Sequence, residues 1–173
     1  MILSGNEIKK RVKTGEIIIE PYDEKNINPN SYNLSLDKEL IVYENDILDM
    51  KVENKTRKIT IPEEGLVLEP GKLYLGRTSE YTKTEKYAPM LEGRSSIGRL
   101  GISVHATAGF GDVGFAGTWT LEISCIQPVR IYADTKVCQI CYHDVDGDTD
   151  ILYRGKYYEQ KDAKASNMYK DFE

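Results

Sequence analysis

The chain alternates between short apolar runs and turn-forming residues, and only one segment near its start has helical spacing. Ser4 is followed three residues later by a glutamate, as in a capping box, where each side chain bonds to the other residue's backbone N–H. Ile8 and Val12 then fall on one helical face, and Gly15 supplies a stop. The pattern predicts a helix over residues 5–14.

The remaining apolar runs have the length and spacing of β-strands. Residues 16–20 are rich in β-branched side chains, and residues 31–40 alternate, with Tyr32, Leu34 and Leu36 on one face. Further runs lie at 129–132 and 137–142. The runs at 66–68 and 73–75 flank a Pro-Gly dipeptide, which predicts a β-hairpin.

Two segments are polar and lack this pattern. Residues 44–58 are charged and weakly patterned, which predicts an exposed hairpin or long loop, and the tail from residue 146 is rich in tyrosine and lysine. No internal repeat or linker divides the chain, so we expect a single domain over residues 1–173. Evenly spaced short strands with one helix predict an all-β barrel or sandwich.

Composition narrows the possible environment and partners. The chain has 173 residues and a net charge of −5, which argues against non-specific nucleic-acid binding, because that mode needs a basic field. No apolar run approaches the roughly 20 residues of a membrane span, and the first residues lack the pattern of a signal peptide. Three cysteines give no disulfide framework. We therefore expect a cytoplasmic protein without a membrane partner.

Two cysteines and a histidine near residue 140 have a spacing that resembles a metal site, but the predicted strand argues against one. Cys138 and Cys141 are three residues apart with His143 close behind, but positions three apart in a strand point to opposite faces. We therefore interpret the two thiols as buried small side chains rather than as zinc ligands. His105 lies in a strand-like stretch, and a satisfied, partly buried imidazole is a simpler interpretation there than a catalytic base.

The strongest polar cluster begins a stretch from Leu91 to Glu122. Arg94, Ser95, Ser96 and Arg99 combine forked donors with small hydroxyl residues, as a polyphosphate site requires. Surface arginines are also commonly solvated, so the cluster by itself leaves both interpretations open.

Two acids follow in the same stretch. Glu122 lies between apolar neighbours, and we expect burial to raise the pKa of its carboxyl towards neutrality, as proton-transfer chemistry needs. Asp112 is surrounded by glycines and aromatics, where an aspartate can also serve only a turn. The residues alone therefore indicate a phosphorylated small molecule, with its hydrolysis as one possibility.

A longer pattern runs through the same residues. It comprises Gly93–Gly101 (GRSSIGRLG), His105–Gly109 (HATAG), Asp112, Gly114-Phe115, Gly117 and Thr120-Leu121-Glu122. It resembles the core of the dCTP deaminase family, which belongs to the trimeric dUTPase-like superfamily. The resemblance extends to Met1–Ser4, to Pro29-x-Ser31 and to the Gly155-Lys156-Tyr157-x-x-Gln160 segment, and it is weakest across residues 40–62.

The resemblance implies a particular fold and assembly. It implies a β-clip fold, which is a distorted barrel, with a short N-terminal helix. It also implies a homotrimer whose active sites are shared between neighbouring subunits. Residues from about 146 to 173 would form a C-terminal segment that closes over the nucleotide.

The same resemblance implies hydrolytic deamination of dCTP without zinc. Glu122 would be the general base and proton shuttle, activating water to attack C4 of cytosine and passing protons to the departing ammonia. Ser95 and the backbone around Ala108 would position that water. The main chain around Trp119 and Thr120 would read the edge of the base.

The remaining implied roles concern the sugar and the phosphates. The triphosphate, accompanied by Mg²⁺, would be held by Arg94, Ser96, Arg99, Lys156 and Gln160. Asp112 would bind the deoxyribose 3′-hydroxyl, and it occupies the place of the water-activating acid in dUTPase relatives. Tyr157 would pack near the sugar.

Gly109 bears on the product. Family members that release dUTP carry a bulky residue there, whereas those that continue to dUMP and pyrophosphate have a Thr-Ala-Gly sequence like this one. We therefore expect the bifunctional, dUMP-forming type. The alternatives are a deaminase that releases dUTP, a dUTP diphosphatase alone, and a nucleotide-binding trimer without catalysis; Glu122 in its Thr-Leu-Glu strand favours the deaminase.

Five positions depart from the family pattern. Gly111 replaces an aliphatic residue and Val113 replaces a proline, so we expect a looser loop around the acid between them. Trp119 stands where a smaller residue is common. Cys125 and Asn33 replace an asparagine and an aspartate, respectively.

Overall fold

Short antiparallel strands make up most of the regular structure in the computed structural model, which describes residues 1–173. The strands are β1 (Ile18–Glu20), β2 (Tyr32–Ser35), β3 (Glu39–Tyr43), β4 (Thr56–Thr60), β5 (Leu66–Leu68), β6 (Tyr74–Arg77), β7 (Tyr81–Lys83), β8 (Tyr87–Gly93), β9 (Ile102–Ser103), β10 (Ala116–Gly117), β11 (Thr120–Cys125), β12 (Val129–Ile131) and β13 (Lys136–Asp144). Helices α1 (Gly5–Thr14) and α2 (Ser95–Gly98) and two 3₁₀ turns (Glu24–Asn26 and Met168–Asp171) complete the list. The predicted all-β fold with a short N-terminal helix is confirmed.

Helix α1 has the predicted bounds and only half of the predicted cap. The Ser4 hydroxyl accepts from the backbone N–H of Glu7, and Gly15 ends the helix at a left-handed φ of 77°. The Glu7 carboxylate does not reach back to Ser4, since it pairs with Arg11 one turn along the helix. Ile8 is fully buried and attaches the helix to the core.

The strands form four sheets, with strand orders β1-β7-β10, β4-β3-β6-β11-β9, β12-β5 and β2-β13-β8. The five-stranded sheet places β11 between β6 and β9, in the interior of the sheet. Every pairing between neighbouring strands is antiparallel.

The hairpin predicted around the Pro-Gly dipeptide is wrong. Strand β5 pairs with β12, with Leu68 opposite Val129, whereas β6 pairs with β11 and β3 in another sheet. Gly71 does adopt a left-handed φ of 76°, so the chain turns there as expected. A turn dipeptide specifies a local reversal, but the partner of each strand is decided by where its apolar face can be buried.

The core is one cluster of 27 buried residues, from Leu3 to Tyr142, that draws on all four sheets. Tyr32, Leu34 and Leu36 are fully buried, which confirms the predicted alternation. In β13, Cys138 is fully buried and Cys141 faces the other side, where its thiol lies 3.5 Å from the Met90 carbonyl. The two thiols therefore point to opposite faces, as predicted.

The two polar segments have different structures. Residues 44–55 form the exposed connection of the β3–β4 hairpin, as predicted. The tail folds back along β10 and β11: Tyr153 donates to Val113, Glu159 to Ala116, and Thr118 donates to Gln160 at 2.9 Å. The tail thus adds a wall beside the five-stranded sheet.

The longest helix, α1, has ten residues, and none of the helices has the length and apolarity that crossing a bilayer requires.

Candidate functional site

A cavity of about 460 Å³ opens between β11, the loop after β9 and the C-terminal tail. Its size is within the range of about 300–1,000 Å³ typical of small-molecule sites. The predicted site residues that line it are Ala108, Asp112, Trp119, Thr120, Glu122, Tyr157 and Gln160. The structure therefore brings together seven residues from three separate parts of the sequence.

Glu122 is held in place by the strand that carries it. Its neighbours Leu121 and Ile123 are buried on the core side, so the alternation of β11 turns the carboxylate towards the cavity. Its backbone N–H donates to the Val104 carbonyl at 2.9 Å. The side chain remains 31% exposed, which leaves it accessible from the cavity.

The pKa of Glu122 is shifted in the direction opposite to the one expected. The pKa is lowered, first by the His105 imidazole, whose Nδ1 lies 3.6 Å from Oε2, and also by the backbone N–H of Ala106 at 3.3 Å. Partial burial raises it, but by less. The imidazole acts mainly as a hydrogen-bonding neighbour of the carboxylate, although 3.6 Å is at the long end for such a bond. Glu122 is therefore ionised at neutral pH and can accept a proton.

His105 belongs to the site, although the sequence analysis favoured a satisfied imidazole. Its side chain is only 9% exposed, and both ring nitrogens are buried without a hydrogen-bond partner at ordinary distance. Buried polar atoms of this kind are uncommon in folded proteins. The signal available in the sequence was its position at the start of the His105–Gly109 motif.

The loop after β9 is attached closely to β8. The Leu91 N–H donates to the Gly109 carbonyl at 2.7 Å, and the Gly111 N–H donates to the Pro89 carbonyl at 2.8 Å. A Cβ added at Gly109 would collide with the Leu91 carbonyl oxygen. The looser loop expected around position 111 is thus not what the structure shows, because backbone bonds to β8 hold that stretch.

Asp112 follows directly and lines the cavity. The residue is exposed, and no protein side chain forms an ion pair with it. Its backbone carbonyl accepts from Phe115 at 3.1 Å, which closes a turn. The carboxylate is therefore free to accept a hydrogen bond from a ligand.

Trp119 lines the cavity, but its backbone N–H and carbonyl are already hydrogen-bonded. The Trp119 N–H donates to the Thr78 hydroxyl, and its carbonyl accepts from the Thr78 N–H, both at 2.9 Å. The indole Nε1 donates to Thr82 at 2.8 Å, and the ring packs on Phe115 with centroids 4.5 Å apart. Reading of a base edge by this backbone would have to use the remaining lone pair of the carbonyl.

Thr120 and Gln160 join β11 to the tail. The Thr120 hydroxyl accepts from Gln160 Nε2 at 3.2 Å and from the Lys164 N–H at 3.1 Å. Gln160 is 6% exposed, its Nε2 donates to the Thr118 carbonyl at 2.7 Å, and its Oε1 is buried without a partner. Tyr157 is fixed by the Asn167 N–H, which donates to its hydroxyl at 3.0 Å.

The other five predicted residues lie outside this cavity. Lys156 pairs with Asp171 in the tail and does not line the cavity. The remaining four residues belong to the segment 94–99, here called the Arg94–Arg99 segment, which contains α2. Ile97 is buried and attaches this helix to the core, and Arg94 donates to the Lys136 carbonyl at 2.9 Å. Ser95, Ser96 and Arg99 are exposed and form no recorded side-chain hydrogen bond.

No group of three or more His, Cys, Asp or Glu side chains lies close enough together to hold a metal ion. The two carboxylates of the cavity, Glu122 and Asp112, are accompanied by the single imidazole of His105.

Comparison with solved structures identifies the fold. A crystal structure of the 2′-deoxycytidine 5′-triphosphate deaminase from Agrobacterium tumefaciens matches with a TM-score of 0.65 and 20% sequence identity. The match covers 83% of this chain and 48% of that chain, so the chain spans about half of the solved protein. At this identity the match shows a shared fold.

Comparison of the sequence identifies the family. The family model described as dCTP deaminase-like matches residues 2–145, and the chain belongs to that family. A relative from Clostridium beijerinckii, named "dCTP deaminase, dUMP-forming", is 65% identical over 173 residues, covering 100% of this chain and 99% of the relative. A relative of the same name from Hathewaya histolytica is 61% identical and covered completely.

Proposed function

We propose that this protein deaminates dCTP at C4 of the cytosine and then hydrolyses the dUTP to dUMP and pyrophosphate. Full-length similarity to relatives named for both steps supports the proposal. The structural observation that carries it is the ionised Glu122 in a cavity that also presents the carboxylate of Asp112. An acid in this position of β11 suits deamination, which needs a base beside the attacked carbon.

The first step exchanges an amino group for oxygen. The oxygen of a water molecule bonds to C4 while Glu122 accepts one of its protons. Glu122 passes that proton to N3 of the cytosine, so the C4–N3 double bond becomes single and C4 carries both the hydroxyl and the amino group. Glu122 then transfers the second proton from the hydroxyl to the amino nitrogen, the bond from C4 to that nitrogen breaks, and ammonia leaves as the C4 carbonyl forms. Cytosine and water thus become uracil and ammonia.

The second step divides the triphosphate between the α- and β-phosphates. Asp112 is proposed to bind the sugar 3′-hydroxyl and to lie near the water for this hydrolysis. The close contact of Gly109 with Leu91 holds the loop before Asp112 against β8. A bulky residue at 109 would have to push this loop outwards.

A second copy of the chain supplies the phosphate-binding residues in our proposal. Ser95, Ser96 and Arg99 are exposed, without partners and outside the cavity that contains Glu122. A homotrimer in which each Arg94–Arg99 segment enters a neighbour's cavity would bring the hydroxyl of Ser95 to the attacking water. It would also bring the two arginines to the triphosphate.

The tail would complete the site on the chain that carries Glu122. Tyr157 and Gln160 already line the cavity, and the unpartnered Oε1 of Gln160 is available to a ligand. Lys156 would exchange Asp171 for a phosphate as the tail closes. Mg²⁺ is proposed to arrive bound to the triphosphate, as part of the substrate, and the deamination to proceed without zinc.

The test is to incubate the purified protein with dCTP and Mg²⁺ and to measure ammonia, dUTP, dUMP and pyrophosphate. We expect ammonia and dUMP in equal amounts and little free dUTP. Accumulation of dUTP would support the deamination and contradict the proposed hydrolysis of dUTP. Pyrophosphate from dUTP without ammonia from dCTP would show a dUTP diphosphatase and contradict the deamination.

A further inference from the structure

The Trp119 ring lies where a side chain at position 111 would be. A Cβ added at Gly111 would lie well inside van der Waals contact of Cη2 at the tip of the Trp119 ring. On the other side the same Cβ would be 2.9 Å from Pro89 Cγ and 3.0 Å from the Pro89 carbonyl oxygen. The backbone at residue 111 therefore lies in a slot between Pro89 and the indole, which we call the Gly111 slot.

The requirement for glycine in the slot is steric. The φ of Gly111 is not in the left-handed region, so any residue could adopt its backbone conformation. A side chain is excluded by the indole, which makes the closest contact, and by Pro89 on the other side. The indole cannot easily move aside. Its Nε1 donates to the buried Thr82 hydroxyl at 2.8 Å, and its ring contacts Phe115. Displacing it would leave buried polar groups unpaired.

We infer that Trp119 and Gly111 act together as positioning residues for Asp112. Asp112 is the next residue along the chain, and its side chain is otherwise free of protein partners. Its place is therefore determined by its backbone, which the Gly111 slot fixes from one side and the turn bond to Phe115 from the other. The inference rests on the proposed function, in which Asp112 serves the sugar and the hydrolysis of dUTP.

The slot gives the two steps different sensitivities. Glu122 lies within β11, where its backbone N–H donates to the Val104 carbonyl and the residue pairs opposite Leu75 of β6; neither contact involves the slot. A side chain at position 111 would shift the backbone before Asp112, so the second step would fail while deamination continues. The chemical signature is release of dUTP by a protein that otherwise forms dUMP.

The experiment is a double-mutant cycle with Gly111→Ala and Trp119→Phe, measured by the ratio of dUTP to dUMP formed from dCTP. We expect each single variant to raise the share of dUTP several-fold. Gly111→Ala should do so through overlap in the slot, and Trp119→Phe through a gap in it. The double variant should return towards the wild-type ratio, because the shorter ring leaves room for the added methyl. Val113→Ala, on the other side of Asp112, is the matched control and should keep the wild-type ratio.

Fluorescence provides a reading that does not need substrate. Trp119 is the only tryptophan of the chain, so its emission reports on the slot directly. Gly111→Ala should shift that emission to longer wavelength as the ring is displaced from its buried place. Unchanged emission together with an unchanged dUTP share in Gly111→Ala would overturn the inference.

Failure of the inference can be told from failure of the proposed function. If the wild type releases no ammonia from dCTP, the proposed function is wrong. If the wild type releases ammonia and Gly111→Ala has the wild-type ratio of dUTP to dUMP, the positioning role of the Gly111 slot is wrong. Should Gly111→Ala fail to fold, thermal unfolding of the double variant decides. Recovery of the folded state supports the slot, and a double variant as disturbed as the single one overturns it.

Discussion

The cavity and the Arg94–Arg99 segment are both polar, yet they differ in how much structure surrounds them. Glu122 is partly buried and approached by His105 and the Ala106 amide. Ser95 and Arg99 are exposed at the two ends of a one-turn helix, which is attached to the core through Ile97 and the neighbouring Arg94. In the cavity, neighbouring groups of the same chain already stabilise the Glu122 carboxylate. In the Arg94–Arg99 segment, the exposed Ser95 and Arg99 side chains have no partner in the same chain.

Under the proposed function, this difference would mean that one chain contributes to two sites. Within a chain the residues proposed to transfer protons and those proposed to bind phosphate are separated, although they belong to one stretch of sequence. The cavity contains the proposed base but not the proposed phosphate-binding arginines, and the Arg94–Arg99 segment contains those arginines but not the base. The predictions below test whether the two regions work together only when chains assemble.

The largest effect is expected from removing the base in the cavity. Glu122→Gln keeps the shape of the side chain and loses its ability to take a proton, so we expect ammonia release from dCTP to fall by about 10²–10⁴-fold. Nucleotide binding should change little. Glu63→Gln, at an exposed turn outside the cavity, is the matched control. A Glu122→Gln protein with wild-type turnover would remove Glu122 from the mechanism.

The next effect tests the assembly. Ser95→Ala and Glu122→Gln should each be nearly inactive alone. Trimers formed from an equal mixture of unfolded chains should regain roughly a quarter of the wild-type ammonia release, because some sites then combine two intact regions. A mixture of Glu122→Gln with Glu122→Ala is the control and should stay inactive. No recovery in the first mixture would mean that each chain forms its site alone.

A smaller effect is expected from the histidine beside the acid. His105→Gln removes the largest cause that lowers the pKa of Glu122, so this pKa should rise towards its ordinary value. A carboxylate with a lowered pKa stays ionised as the pH falls, and without His105 it is protonated earlier. The acid limb of the profile of kcat/KM against pH should therefore move to higher pH. His143→Gln changes the other of the two histidines and should leave the limb in place.

The smallest effect concerns the tail that closes the cavity. Glu159 has a φ of 58°, in the left-handed region that favours glycine, and its N–H donates to the Ala116 carbonyl at 2.7 Å. Glu159→Gly should preserve that bond and raise the free energy of unfolding by about 1 kcal/mol. Chemical denaturation would measure it, with Lys161→Gly as the control that should give no gain. A loss of stability in Glu159→Gly would show that the side chain contributes more than the strain costs.

How far the sequence predicted the site differs from residue to residue. The motif from Gly93 to Glu122 indicated five of the seven predicted residues that meet at the cavity, and the segment from Gly155 to Gln160 indicated the other two. Strand alternation and the turn residues around them are local properties, which is why the sequence could indicate them. Its resemblance to the family implied sites shared between subunits, but it did not indicate that Ser95 and Glu122 in particular lie apart within one chain. Nor did it indicate the sign of the Glu122 pKa shift, because the deciding group, His105, is seventeen positions away in the sequence.

The sequence by itself determined the helix at residues 5–14, the buried alternation of Tyr32, Leu34 and Leu36, and the opposite faces of Cys138 and Cys141. Each depends on dihedral preference and side-chain periodicity within a few residues. The tertiary structure alone decided that β5 pairs with β12, that the carboxylate of Glu122 is ionised, and that the ring of Trp119 fills the space beside Gly111. Those features depend on which segments, distant in sequence, pack against each other. Because protein interiors are close-packed, two side chains cannot occupy the same space.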